Sequence, residues 1–250
     1  MRSSLDLLFP YAFATVFLAV GIRAFLGWRR NSAAPQAHLA IATGLFGLNQ
    51  LISALNQTIY PRQDVDVATV CAYPRGLSIV SSILLFASMY AFLFFLADFL
   101  TYPAWARAGS VVVTLVCIGL AIITPVARAS DPVTHRFVNC PEATAGDVRL
   151  FNINLLVVLI WLTVAFGVLT VSFLRYSGRV SGLAKVRMRS IGSGFGLILL
   201  AIMLIAVLLQ QRGTGFEIFA RIIQLVVLIA APLLLIGFTP PAWLARRYPD

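Results

Sequence analysis

The chain has 250 residues, of which 60% are hydrophobic and 11% are charged, and its mean hydropathy is +0.92. Runs this apolar lack the polar residues that a water-exposed surface needs, so the composition excludes a soluble protein and predicts an integral membrane protein. The formal net charge of +10 indicates membrane topology and attraction to anionic lipid headgroups, and nucleic acid is not an expected partner of so little soluble surface.

Seven windows along the chain are as long and apolar as the roughly 20 residues that cross about 30 Å of hydrocarbon. In chain order they cover residues 7–28, 38–59, 76–99, 106–127, 149–174, 190–210 and 216–238. Backbone polar groups must be satisfied within each segment in lipid, so windows of this length predict helices rather than barrel strands. The expected fold is all-α: one domain over residues 1–250, a bundle of seven transmembrane helices with a cytoplasmic exit segment at 239–250.

The cations are distributed unequally between the two sides of the predicted bundle. If the N-terminus lies outside, ten cations lie near the inner face: Arg29, Arg30, Arg107, Arg175, Arg179, Lys185, Arg187, Arg189, Arg246 and Arg247. Most of the acidic residues then lie outside: Asp6, Asp64, Asp66, Asp131, Glu142, Asp147 and Glu217. This bias predicts an outer N-terminus, a cytoplasmic C-terminus and a multi-pass protein of a cell membrane.

Two of the three cysteines fall in predicted outer loops. Cys71 precedes the third window, and Cys140 lies between the fourth and the fifth. Both face an oxidising compartment in this orientation, so we expect a Cys71–Cys140 disulfide over the outer end of the bundle, with two free thiols as the alternative. Cys117 lies within the fourth window, where a small buried side chain is the expected role.

Polar side chains within a span are costly unless they face the bundle interior, and three groups of them are candidates for binding a ligand. Asn49, Ser53 and Asn56 share one face of the second window, and Glu217, Arg221 and Gln224 share one face of the seventh; Arg149, Asn152 and Asn154 lie at the outer end of the fifth. We expect a ligand pocket open to the outside among them. Interhelical hydrogen bonds and a structural ion pair are the alternatives.

Two local patterns concern the inner side and the sixth window. Asp98 and Arg23 fall at a similar depth, so they are expected either to pair with each other or to leave Asp98 as an interfacial carboxylate facing water. The glycines of RSIGSGFGLI resemble a phosphate-binding loop, but no strand precedes them. A close helix contact between Gly192 and Gly196 is therefore the expected role.

Several chemistries are excluded by missing residues. The sole lysine, Lys185, lies in a predicted loop, so no span offers an amine for a retinal Schiff base. The two histidines, His38 and His135, lie on opposite sides of the membrane and cannot ligate one metal or haem. No HExxH motif and no paired intramembrane aspartates occur. We therefore expect no enzymatic activity, no metal and no cofactor.

Two stretches near the inner face carry a resemblance. They are VSGLAKVRMRSIGSG, before the sixth window, and LLLIGFTPPAWLARR, at the end of the seventh. A basic segment of this kind, two spans and a GF-x-PP-x-W-L-x-R-R exit resemble the seven-helix sensory module of bacterial membrane sensor histidine kinases and related signalling proteins. The resemblance is specific in these stretches and rests on span number and topology elsewhere.

The resemblance implies a receptor that relays an external or lipid-borne cue through spans 6 and 7 to a cytoplasmic kinase-type effector. It implies a homodimer, a small-molecule or lipid ligand, contacts with membrane lipids, and a chain that continues beyond Asp250, with a stand-alone receptor as the alternative. The inner-face anchor and output residues are then Arg187, Arg189, Trp243, Arg246 and Arg247. A small transporter or channel, and an accessory subunit of a membrane complex, are the other interpretations.

Overall fold

The structure is a computed structural model. Helices account for 88% of it, and its described residues contain eight helices. The description covers residues 4–59, 68, 71, 75–98, 104–130, 137–208 and 214–248. The side chains of three predicted site residues, Asn56, Glu217 and Arg221, lie outside it. The all-α class is confirmed.

Seven of the eight helices have 20 residues or more. They are α1 (Ser4–Asn31), α2 (Ala34–Ile59), α3 (Arg75–Ala97), α4 (Ala104–Ile123), α5 (Ala145–Ser177), α6 (Gly182–Leu208) and α7 (Thr214–Phe238); the short α8 (Ala242–Arg247) follows. The prolines of TPPAW separate α7 from α8, because proline removes a backbone donor and restricts the residue before it.

Five of the helices contain segments long and apolar enough to cross a membrane, which is compatible with a multi-pass membrane protein. The segments are Tyr11–Asn31, Ala34–Leu55, Ile79–Ala97, Ala145–Ser177 and Gly182–Leu204. In α4 and α7 the apolar stretches within the described residues are shorter, at Arg107–Ile123 and Ile222–Phe238. The predicted number of seven spans and the orientation of the termini therefore stay predictions.

Local signals explain where α5 begins and where α4 ends. The Thr144 hydroxyl accepts a hydrogen bond from the Asp147 N–H at 3.2 Å, and the Asp147 carboxylate accepts one from the Thr144 N–H at 2.9 Å. This capping box starts α5 four residues before the predicted window. Helix α4 ends at Ile123, four residues before its predicted end, because Pro125 lacks the N–H that a further turn needs.

The chain between α4 and α5 forms a small hairpin that the sequence did not predict. Strand β1 (Arg128–Ser130) pairs antiparallel with β2 (Phe137–Asn139). Cys140 follows directly and is bonded to Cys71 with their Cα atoms 5.8 Å apart, which confirms the predicted disulfide. The hairpin is thereby held against the segment that precedes α3.

The helices pack in chain order around a phenylalanine core, and α7 returns to α1 and closes the ring. The Phe195 ring of α6 lies at the centre, with centroid distances of 5.2 Å to Phe92, 5.8 Å to Phe166, 6.1 Å to Phe173 and 6.3 Å to Phe238. These separations are typical of favourable aromatic pairs. Phe195 of α6 therefore packs against α3, α5 and α7.

Glycines let α6 lie close to α5. Gly192 lies against Leu174 of α5, and Gly196 lies against Thr170 of the same helix. The expected close helix contact at these glycines is confirmed, and it is made with α5. Cys117 is buried, also as expected.

Candidate functional site

The predicted ligand residue Asn49 is a brace between α2 and α3. Its side chain is 5% exposed, and its Nδ2 donates to the Ser81 carbonyl at 2.6 Å and the Ser81 hydroxyl at 2.8 Å. Its Oδ1 accepts from Gln50 at 3.1 Å. These bonds occupy both ends of the amide, which matches the interhelical alternative.

The predicted residues on α5 lie near the N-terminal end of the helix. Asn152 accepts a hydrogen bond from Arg128 Nη1 at 3.1 Å, so it holds strand β1 to α5. Arg149 is exposed, and the Asn154 Oδ1 is a buried acceptor with no partner among the described residues. Asn49 bonds to Ser81 and Asn152 bonds to Arg128, so these two predicted ligand residues share no hydrogen-bond partner. Gln224 is half-buried on α7, while Asn56, Glu217 and Arg221 contribute no described side chain.

A cavity of about 300 Å³ lies beside the disulfide. Its described lining comprises Ala68, Cys71, Pro125, Val126, Cys140, Pro141, Glu142, Ala143 and Asp147. Asp147 is engaged in the cap of α5. The described walls of this cavity therefore come from the disulfide and its neighbours. The polar residues of spans 2, 5 and 7, which were predicted to form an outer pocket, are not among them.

A larger groove, of about 430 Å³, lies between α3, α4 and α5. Its described lining is Leu93, Phe94, Ala97, Arg107, Gly109, Ser110, Val113, Trp161, Val164, Ala165 and Val168. We call it the α4 groove. Helix α4 makes sparser contacts with its neighbours than the other long helices, and this leaves the space open. The volume lies within the range of about 300–1,000 Å³ typical of ligand pockets.

Few polar groups belong to the described lining of the α4 groove, and among them Arg107 is the one placed to engage a ligand. Arg107 is exposed at the start of α4, and no carboxylate pairs with it in the part of the chain that the structure describes. Trp161 is 8% exposed, and its indole N–H finds no acceptor among the described residues. The Ser110 hydroxyl is already used, because it donates to the Arg107 carbonyl at 2.7 Å.

No pattern in the sequence predicted this groove. Arg107 was one of the predicted inner-face cations, and Trp161 had no predicted role. A tryptophan in the middle of a span was the available signal, because its N–H needs a partner when it is buried. That Trp161 and Arg107 line the same groove follows only from the packing of three helices.

The wall of the α4 groove is connected to the phenylalanine core. Ala165 lines the groove and also belongs to the core cluster. The next residue, Phe166, contacts Phe195, and Phe195 contacts Phe238 at the end of α7. A continuous set of packed side chains therefore leads from the groove to the segment that precedes α8.

The predicted output residues lie where α6 and α7 meet the exit segment. Arg187 Nε donates to the Gly237 carbonyl at 3.1 Å and joins the start of α6 to the end of α7. Arg189, Trp243, Arg246 and Arg247 are exposed, while Leu244 of α8 is buried. Among the described side chains of α8, Leu244 is therefore the one packed against the bundle, and both arginines face away from it.

The structure gives Asp98 a partner that neither alternative for this residue included. Its carboxylate lies 2.8 Å from His38 Nδ1, at the start of α2, and is partly exposed. The antiparallel packing of α2 and α3 brings these two helix ends together. Both side chains are partly exposed, so the pair contributes only a surface interaction of modest strength.

Among the described residues, no group of three or more histidine, cysteine, aspartate or glutamate side chains could hold a metal ion. In comparisons with known proteins, no family model matches the chain, and neither a curated protein nor a solved structure matches it.

Proposed function

We propose that this chain is a seven-helix membrane receptor module in which occupation of the α4 groove alters the packing of α6 and α7 and so signals to a cytoplasmic effector. The observation that carries the proposal is the packed path from Ala165 through Phe166 and Phe195 to Phe238. A ligand that changes the position of α5 would act on this path, provided that it binds one arrangement better than the other.

Within the same proposal, all seven long helices cross a bacterial plasma membrane with the N-terminus outside. The support is the sequence bias of cations toward one side together with the disulfide in the loops of the other side. In this orientation Arg107 and the α4 groove lie in the inner half of the bilayer. A kinase-type effector and a homodimer are parts of the proposal that rest on the resemblance of the two inner stretches.

Groove occupation can be mimicked without a ligand. Gly109 lines the groove, and a Cβ built on it meets no atom within 4 Å. Gly109→Trp would fill the groove with an indole ring. Gly119, also on α4, has equally open surroundings and does not belong to the described lining, so Gly119→Trp is the matched control.

The readout is the distance between spin labels at Arg189→Cys and Arg246→Cys, two exposed positions, in a Cys117→Ser background in nanodiscs. We expect Gly109→Trp to shift this distance by about 1–2 Å or more, as in helix shifts of known switches. Gly119→Trp should leave it unchanged. An unshifted distance in Gly109→Trp would contradict the receptor proposal. Solute uptake by vesicles containing only this chain would instead support a transporter.

A further inference from the structure

We infer that the α4 groove binds an anionic single-chain amphiphile of the fatty-acid class, with its carboxylate at Arg107 and its acyl chain along the apolar walls of the groove. This inference deepens the proposed function by naming the class of the cue. It rests on that proposal only for the signalling consequence, because binding itself can be measured separately.

The charge of the lining determines the headgroup. Arg107 is the sole charged side chain of the described lining, and it has no carboxylate partner there. It lies at the first turn of α4, where the groove begins, and is exposed. A single guanidinium binds a carboxylate through two parallel N–H donors. A doubly charged phosphate would be expected to meet more than one cation.

The apolar lining determines the rest of the molecule. Beyond Arg107 and Ser110, the walls are aliphatic and aromatic side chains of three helices. Along α5 the lining extends over eight residues from Trp161 to Val168, about 10 Å at the rise of an α-helix. At about 430 Å³ the groove is near the lower end of the range for ligand pockets, which suits one acyl chain rather than two.

Trp161 contributes to the apolar wall of the groove. Its indole nitrogen is shielded from the groove and from solvent, so a ligand would contact the ring and not the N–H. Phe86 and Cys117 belong to the same buried cluster as Trp161 and support this wall from behind. The wall therefore suits an acyl chain without polar groups.

The test uses the whole chain in native-like membranes and a photoreactive, clickable tetradecanoic acid as the probe. After irradiation, digestion should place the label on the α3, α4 and α5 segments that line the groove. Competition is then measured with tetradecanoate and with tetradecanol, which keeps the chain but lacks the charge. We expect the acid to compete and the alcohol to compete about tenfold less well, as for the loss of one charge-assisted hydrogen bond.

Matched variants test the contact with Arg107. Arg107→Gln should reduce labelling about tenfold, whereas Arg175→Gln, an exposed arginine of α5 outside the described lining, should not. Gly109→Trp should prevent labelling of the groove.

Specific results would overturn the inference. Equal competition by tetradecanol, equal labelling of Arg107→Gln and wild type, or label outside the groove would each mean that bulk lipid contacts explain the binding. Failure of the proposed function is distinguishable from this. Binding as expected without a shift of the distance between the labels at positions 189 and 246 would contradict the receptor proposal alone. A shift in Gly109→Trp without probe binding would contradict the amphiphile alone.

Discussion

The Arg187 guanidinium donates from Nε to the carbonyl oxygen of Gly237, fifty residues later, across 3.1 Å. Gly237 lies in the last turn of α7, where carbonyl groups have no partner within the helix. A cation at this end also complements the helix dipole. The contact therefore ties the first turns of α6 to the last turn of α7, next to the exit segment.

The first prediction concerns the space at this contact. A Cβ on Gly237 would contact Ile191 Cγ1 and would lie 3.0 Å from the Ile191 nitrogen and 3.1 Å from the Arg187 carbonyl oxygen. Since backbone atoms cannot move aside cheaply, we expect Gly237→Ala to lower stability by roughly 1–3 kcal/mol, as other overpacking changes do.

The measurement is thermal unfolding of the two proteins in the same detergent. Gly167→Ala is the matched control, because a Cβ on Gly167 of α5 meets no atom within 4 Å. It should be neutral or slightly stabilising, since alanine favours a helix over glycine. Equal melting temperatures of Gly237→Ala and Gly167→Ala would show that α6 and α7 are not in close contact here.

The second prediction concerns the centre of the core. Phe195 is completely buried and contacts rings of three other helices. Phe195→Ala should lower the free energy of unfolding by roughly 3–5 kcal/mol, because it leaves a cavity that rigid helices fill incompletely. Phe25→Ala, at a ring that is 45% exposed, is the control and should have a much smaller effect. Similar losses for both would contradict the central position of Phe195.

The third prediction is a count of thiols. Denatured protein treated with a maleimide reagent should react at one cysteine, Cys117, before reduction and at three afterwards, because Cys71 and Cys140 are bonded. In the folded protein Cys117 should react slowly, since it is buried. Mass spectrometry gives the count, and Cys117→Ser should give none and then two. Three reactive thiols before reduction, in protein purified without reductant, would contradict the disulfide.

The fourth prediction distinguishes a structural Asn49 from a ligand-binding one. Asn49→Ala should destabilise the protein by about 1–2 kcal/mol, since it removes both donations to Ser81. In Ser81→Ala the hydroxyl contact is absent but the carbonyl contact stays, so a smaller loss is expected. The double variant should lose less than the sum of the two, because the residues share a bond. Additive losses would show that Asn49 acts elsewhere.

The helices follow from local properties of the sequence, and so does the disulfide candidate. Apolar runs long enough to span a bilayer leave the backbone no partner except itself, so each predicted window corresponds to a described helix. Only the ends differ, as at α5, where the capping box of Thr144 and Asp147 extends the helix. Cys71 and Cys140 were also the two cysteines outside the windows.

The α4 groove and its polar groups were decided by tertiary packing alone. Arg107 and Trp161 belong to different helices, and nothing in the sequence between them indicates that α4 stands apart from α3 and α5. The same holds for Asp98, whose partner is His38, and for Arg187 with Gly237. Hydrophobicity determines that a segment is buried in lipid or protein, but in a chain apolar on nearly every face it does not determine which helix faces meet. Side-chain shape, through phenylalanine rings and glycine contacts, makes that choice.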